Sequence, residues 1–386
     1  MLVTALGAAQ IVSWGTLFYA IGVLGAPMRA DLGASEIFLF GSFTAGLLIS
    51  AALAPLSGRL VDRMGGRVVL SAGSILGTAA MLVLALATHP AVMALGWAIA
   101  GAAMAACLYD PAFATLSQHT GEKYRRSVTI LTLWGGFAST VFWPLSKVLL
   151  DAVGWRETWL IYAGLHLFLC LPIHWLLVPR VERRAAPAMA PLPAKGAGAH
   201  GPRLRWLTAS LALATFVVGV MAVHVIPLLT SAGMTLEQAV LISTLFGPVQ
   251  VAGRVLEMSV ARRVSAVTSG FAPFALMVVA LVALIAVEGF GAAAFVFITA
   301  YGVGNGVLTI VRGTAPAELF GKEGLGAVLG QLSRATLFAR ALAPACFSGL
   351  LAAGLTRNHA LAILVVFVIA GAACYAAAVR GREGNG

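Results

Sequence analysis

From Met1 to Met28 the chain carries no charged side chain. About 20 apolar residues cross the hydrocarbon core of a bilayer as a helix, and the apolar core of a secretory signal is shorter and follows a basic start. No basic residue precedes this run, so it is expected to stay in the protein as a spanning helix. Comparable runs recur along the whole chain. Sixty per cent of the residues are apolar, 10% are charged and the mean hydropathy is +0.95, against roughly 45–50% and 25% in soluble domains. The expected class is an all-α integral membrane protein.

Charges and Gly/Pro punctuation divide the apolar runs into twelve spans, near 2–28, 36–58, 67–88, 90–117, 126–150, 156–179, 206–230, 236–261, 264–288, 291–319, 324–353 and 358–379. Sorting Lys and Arg by side tests that parse. Seventeen fall on one side, in the loops that hold Arg59, Arg63, Arg67, Lys123, Arg125, Arg126, Arg180, Arg183, Arg184, Lys195, Arg203, Arg205, Arg262, Arg263, Lys322, Arg380 and Arg382. Only Arg29, Arg156 and Arg357 fall on the other. Short cytoplasmic loops retain the basic residues, which puts both termini in the cytoplasm and the protein in the cell's inner membrane. Five basic residues remain within spans: Lys147, Arg254, Arg312, Arg334 and Arg340.

The net charge of +11 is spread over short loops and not gathered on one face, so no nucleic-acid partner is expected. Cys107, Cys170, Cys346 and Cys374 lie in apolar runs without CxxC spacing, which indicates neither a disulfide framework nor a metal site. No phosphate-binding loop of the G-x-x-x-x-G-K-[ST] form occurs, and no cofactor is expected.

The stretch Pro179 to Arg205 is rich in Ala, Pro, Gly and basic residues and has no apolar period, as a linker does. The expected organisation is a six-helix bundle over 1–179, a cytoplasmic linker over 180–205 and a second bundle over 206–386. A shift of 200 residues superposes Pro27 on Pro227, Gly33 on Gly233, Arg63 on Arg263 and Pro144 on Pro344. One constant offset argues for duplicated halves about an axis along the membrane normal, with a pathway between them.

The loop GRLVDRMGGR, Gly58 to Arg67, resembles the signature G-x-x-x-D-R-x-G-R-R of the major facilitator superfamily. It matches at Gly58, Asp62, Arg63, Gly65 and Arg67, and Gly66 replaces a basic residue. The resemblance implies twelve helices in two pseudo-symmetric six-helix bundles, alternating access to a central site, and a gating role for these five residues. Asp62 has a physical counterpart: the eleventh span begins near Gly324 with unsatisfied amides, a positive helix end that suits a carboxylate. Topology control by Arg59, Arg63 and Arg67 is compatible with that role.

GRVLEMSVARR, Gly253 to Arg263, resembles the helix 8 motif G-R-x-x-x-G-x-x-x-D of the same superfamily, with Met258 for the second Gly and Arg262 for the Asp. In monocarboxylate porters and the related oxalate and formate exchangers, the matching Arg holds the substrate carboxylate. The resemblance carries that role to Arg254. Monocarboxylate porters also place an Asp four residues earlier, where this chain has Gln250. A guanidinium suits the task, since its fork fits a carboxylate and it keeps its charge when dehydrated. The structural alternative pairs Arg254 with Glu257 or lets it reach the cytoplasmic surface.

Arg340 is a second expected anion contact. Arg334, six residues earlier and so about 240° around the helix, suits a gate. Tyr301, Asn305 and Arg312 form one polar stripe on the tenth span, and Tyr19 and Trp134 are aromatic candidates for the cavity wall. Asp110, in YDPAF, is expected to pair with Arg312 or Arg334 as a cytoplasmic gate. Asp110 and His224 are the candidates for proton coupling. The resulting expectation is a secondary transporter of a small organic anion, a monocarboxylate first, working as a monomer with a proton or a counter-anion. The rivals are proton-coupled efflux of drugs or other small molecules, against which stand Trp97 and Trp143 where exporters carry Arg and Gly, and a transport-inactive sensor. A membrane enzyme would need a nucleophile and a base in reach of each other, and none is evident.

Overall fold

The structure, a computed structural model, describes residues 2–181, 201–261 and 263–380. Most of the expected linker, together with Arg183, Arg184, Lys195, Arg262 and Arg382, lies outside the described residues. Among the described residues, eleven helices are long and apolar enough to cross a membrane: α1 (Leu2–Leu32), α2 (Ile37–Met64), α3 (Gly66–Ala85), α4 (Pro90–His119), α5 (Gly121–Val153), α6 (Trp155–Leu177), α7 (Gly201–Thr230), α9 (Ala266–Ile285), α10 (Ala292–Phe320), α11 (Leu325–Ala352) and α12 (Arg357–Arg380). The remaining span, α8, is two helices in succession, Leu236–Thr244 and Phe246–Val260. Its break has a local cause. Pro248 has no N–H to give the Thr244 carbonyl, so the first helix ends there and the proline sits in the first turn of the second.

Proline and glycine disturb two other spans. Pro172 cannot donate to Phe168, and α6 relaxes into π-helical turns on either side of it, His166–Cys170 and Ile173–Leu177. The α-helix of α5 is interrupted at Phe137, just after Gly135 and Gly136. α1 carries a π turn over Gly15–Tyr19.

Helix ends follow ordinary capping rules. Ser35 accepts from the Phe38 amide at 3.1 Å to start α2, and Thr235 and Gln238 form a reciprocal capping box at 3.2 and 3.0 Å to start α8.

The repeat is written into the backbone. Three pairs of glycines with positive φ are each 200 residues apart: Gly33 and Gly233 (62° and 91°), Gly121 and Gly321 (48° and 83°), and Gly154 and Gly354 (89° and 91°). Only glycine adopts that region cheaply, so the pairs mark the same turns in each half. An arginine beyond the Gly154 and Gly354 turns also plays the same part twice. Arg156 donates to the Ala87 carbonyl at 3.0 Å, and Arg357 donates to the Leu284, Ile285 and Val287 carbonyls at 3.1, 3.0 and 3.4 Å. Each arginine satisfies carbonyls that the end of α3 or α9 leaves open.

The chain forms two compact units, residues 1–191 with 322–334, and residues 192–321 with 335–386. The sequence-based division assigned all of α11 to the second half, whereas its first turns group with the first unit. The core of the first unit lies where α1, α3, α4 and α6 meet, around Trp97, Trp159, Tyr162 and Met81. Large apolar side chains such as Ile75, Phe168 and Val366 are exposed, as an apolar solvent allows. Lys147 is also exposed and pairs with Asp151 at 2.5 Å, so it is not an interior charge.

Candidate functional site

In the second unit, α8 and α10 approach backbone to backbone. A Cβ on Gly253 would lie 2.8 Å from the Val303 Cα, and one on Gly306 would lie 2.3 Å from the Gln250 carbonyl oxygen. Small residues permit this closeness in a bilayer, where packing is a main attraction between helices. The consequence is burial of charge. Arg254 is 4% exposed and Glu257 is 3% exposed, one turn apart on the same helix. The Arg254 Nη2 donates to the Gln250 Oε1 at 3.1 Å. Gln250 thus holds the guanidinium from one turn away on the same helix.

α10 adds Tyr301 and Asn305, both buried. The Tyr301 ring stacks on Phe246 and Phe297 at 5.2 and 5.8 Å, and Arg340 of α11 is half-buried. Arg312, farther along α10, is half-buried. α7 and α11 approach closely where a Cβ on Gly219 would lie 2.7 Å from the Arg340 carbonyl oxygen. His224, on α7, has its Nε2 3.2 Å from the Pro344 carbonyl and 3.3 Å from the Ser348 Oγ. A carbonyl only accepts, so Nε2 carries the hydrogen.

In the first unit, Asp62 accepts from the Gly326 amide at 2.9 Å and the Ala327 amide at 2.7 Å. These are first-turn donors of α11, so the carboxylate meets a positive helix end. Gly58 makes the approach possible, because a Cβ there would lie 1.9 Å from the Gly326 carbonyl oxygen. Gly65 ends α2 with φ 82°, Arg67 lies 4.8 Å over the Trp175 ring, and Arg63 is exposed.

Asp110 accepts from the Ser333 hydroxyl, next to the exposed Arg334. Tyr19 packs edge-on to Trp143 at 5.7 Å, while Trp134 covers Gly7 of α1. The structure thus groups Gln250 with Arg254, Tyr301 with Phe246 and Phe297, and Asp62 with the start of α11. Tyr19, Trp134 and Asp110 belong to the other unit.

Sequence reasoning missed three buried titratable side chains. Asp110 was the acid singled out for proton coupling, yet Glu257, considered only as a partner of Arg254, is more deeply buried than Asp110. Its position four residues from the expected end of the span disguised it. His224 was the histidine singled out for proton coupling, whereas His166 and His174 are both 0% exposed. A helical period was the available signal, since His166, Cys170 and His174 recur every four residues on α6.

The comparisons with known proteins agree with this architecture. Mouse (Mus musculus) "Monocarboxylate transporter 11" is 29% identical over 154 residues, which covers 39% of this chain and 34% of that protein, so the match spans about a third of the relative's length. Among solved structures, FucP in the outward conformation superposes with a TM-score of 0.76 at 15% identity, and the human organic anion transporter MFSD10 (TETRAN) with 0.71 at 15%, each covering 98% of both chains. At that identity the likeness is one of fold. A sequence model of the Major Facilitator Superfamily matches residues 6–344. The chain is a multi-pass membrane protein that belongs to the Major Facilitator Superfamily, a family of small-molecule transporters and not of enzymes.

Proposed function

We propose that this transporter moves a small organic anion, a monocarboxylate first, across the inner membrane by alternating access, with both termini in the cytoplasm and with a proton or counter-anion as the coupled species. The observation that carries the reading is the buried Arg254, oriented by Gln250. A guanidinium within the membrane costs about 2.5–3.5 kcal/mol on insertion scales and normally serves a partner or a cavity. A carboxylate cargo matches its fork bidentately, and Gln250 steadies the guanidinium. Arg340, Tyr301 and Asn305 complete the polar surface on this reading. The name of the monocarboxylate transporter that resembles part of this chain supports the same cargo class.

Asp62 on the α11 amides serves as the cytoplasmic latch, and Gly58, Gly65 and the arginines beside it shape that corner. Asp110, through Ser333 beside Arg334, adds a second contact that opens and closes with the first.

Reconstituted protein tests the cargo class with radiolabelled carboxylates, inorganic anions and hydrophobic cations, each with and without a pH gradient. The wild type is expected to accumulate a carboxylate. Arg254→Gln should lower the rate by roughly ten- to hundredfold, the worth of a charge-assisted pair, with Arg254→Lys in between. Cation transport that is indifferent to Arg254→Gln would remove the anion assignment.

A further inference from the structure

The two buried histidines of α6 have no part in the anion site, and one of them joins two irregular turns. The π turn of α1, Gly15–Tyr19, meets the π turn of α6, His166–Cys170, through a single hydrogen bond: Thr16 Oγ1 lies 2.8 Å from His166 Nε2, with both side chains fully buried. The direction of that bond is set by its neighbour. Thr16 Oγ1 donates its one hydrogen to the Val12 carbonyl at 2.9 Å, so His166 Nε2–H is the donor to Thr16. The lone pair of the neutral ring is then on Nδ1. That atom is buried with no hydrogen-bond partner, and it faces the bare Cα of Gly77 on α3, where a Cβ would lie 2.6 Å away. A basic lone pair sealed in a protein interior is a place for a proton.

The charges around it decide what a proton would do. α1 presents Tyr19 and, at its outer end, Arg29 and Asp31, the last paired with Arg156. α3 presents only Arg67, held over Trp175. α6 itself carries Arg156, the exposed Glu157, Tyr162, which bonds Ser146 at 2.6 Å, and then Cys170 and His174, while Cys107 of α4 adjoins Cys170. No carboxylate lies on α3 or within a helical turn of His166 on α6. An imidazolium here would thus be buried without a counter-charge, at a cost of several kcal/mol. A group that holds a proton well in one conformation and badly in another ties proton uptake to the change between them, reciprocally.

The geometry points to His166 as a proton-binding site of the first unit, one that takes its proton when α6 loosens from Gly77 and shifts the facing π turn of α1. The residues at the end of that turn, Phe18 and Tyr19, carry the change. A π turn holds one extra residue, so its conversion to an α turn rotates the remainder of the helix by about 100°. Gly15 packs against the Phe142 ring and Tyr19 against Trp143, so the shift is transmitted to α5. π turns recur at functional sites because this adjustment is local. His174 has a similar bond, its Nδ1 2.8 Å from Ser74 Oγ. That bond ties it to α3 and not to the α1 turn, so it serves as the internal control.

The inference needs a transporter that changes conformation and is independent of its cargo, so the test uses no substrate. Phe18, which packs against Phe43 at 5.6 Å and Tyr19 at 5.2 Å, is replaced by trifluoromethyl-phenylalanine in the full chain in lipid nanodiscs. Its fluorine spectrum is then recorded from pH 8 to pH 5. The expected result is a second resonance that grows on acidification, is absent in His166→Gln, whose amide still donates to Thr16, and persists in His174→Gln. Thr16→Val keeps the volume and removes the acceptor for the imidazolium. It should move the midpoint to lower pH by about one unit, the worth of one charge-assisted bond. A resonance that titrates unchanged in His166→Gln and Thr16→Val, or a wild type that shows none, overturns the proposal. Neither outcome bears on whether Arg254 holds an anion.

Discussion

At the scale of single residues, the informative positions are those where burial and charge conflict. Asp62 resolves that conflict through two backbone amides of α11. Asp62→Asn keeps the shape and removes the charge that faces the helix end, which is worth about 1 kcal/mol. The expected result is faster alkylation, by roughly fivefold to tenfold, of a cysteine placed at the buried Leu329 with a membrane-impermeant maleimide from the cytoplasmic side. An unchanged rate would remove Asp62 from the latch. Arg254 was legible from its motif. Glu257 was not, because a glutamate one turn from a loop reads like a surface residue until the close approach of α10 buries it. Glu257→Gln removes the charge of this buried acid, and a loss of pH-driven accumulation with exchange retained would make Glu257 part of the coupling.

At the scale of helices, glycine contacts and terminal clamps set the packing. The added methyl of Gly253→Ala would press on the Val303 backbone at 2.8 Å, and overpacking of this kind costs about 1–3 kcal/mol. Thermal unfolding in detergent should show a lower midpoint, together with reduced transport because Arg254 moves with α8. Arg357 offers a second test. It satisfies three carbonyls at the end of α9 and reaches the Leu228 carbonyl of α7 at 3.5 Å. Arg357→Lys keeps the charge but not the fork, and about 2 kcal/mol of stability should be lost in chemical denaturation. The spans themselves were legible from apolar length. The break of α8 had a signal in Pro248, and the π turns of α6 had one in Pro172, but the π turn of α1 contains no proline. Its cause lies in its neighbours, the Phe142 ring over Gly15 and the His166 bond to Thr16.

At the scale of the whole molecule, the basic residues predict orientation. A reporter fused to the C-terminus should be active in the cytoplasm, and a periplasmic signal would reverse the sidedness of every loop. The duplicated halves were readable as an offset of 200 residues, and the same offset reappears in three pairs of left-handed glycines. The sequence by itself determined the solvent, the number of spans, the repeat and the superfamily, because each depends on residue type and spacing along the chain: apolar length against bilayer thickness, and motifs and punctuating residues recurring at fixed spacing. Tertiary structure alone decided which polar groups are buried together. That Asp62 caps α11, that Gln250 steadies Arg254, and that His166 joins two π turns all depend on contacts that only the folded chain makes. Helix packing through glycine brings those residues together, and no local pattern encodes it.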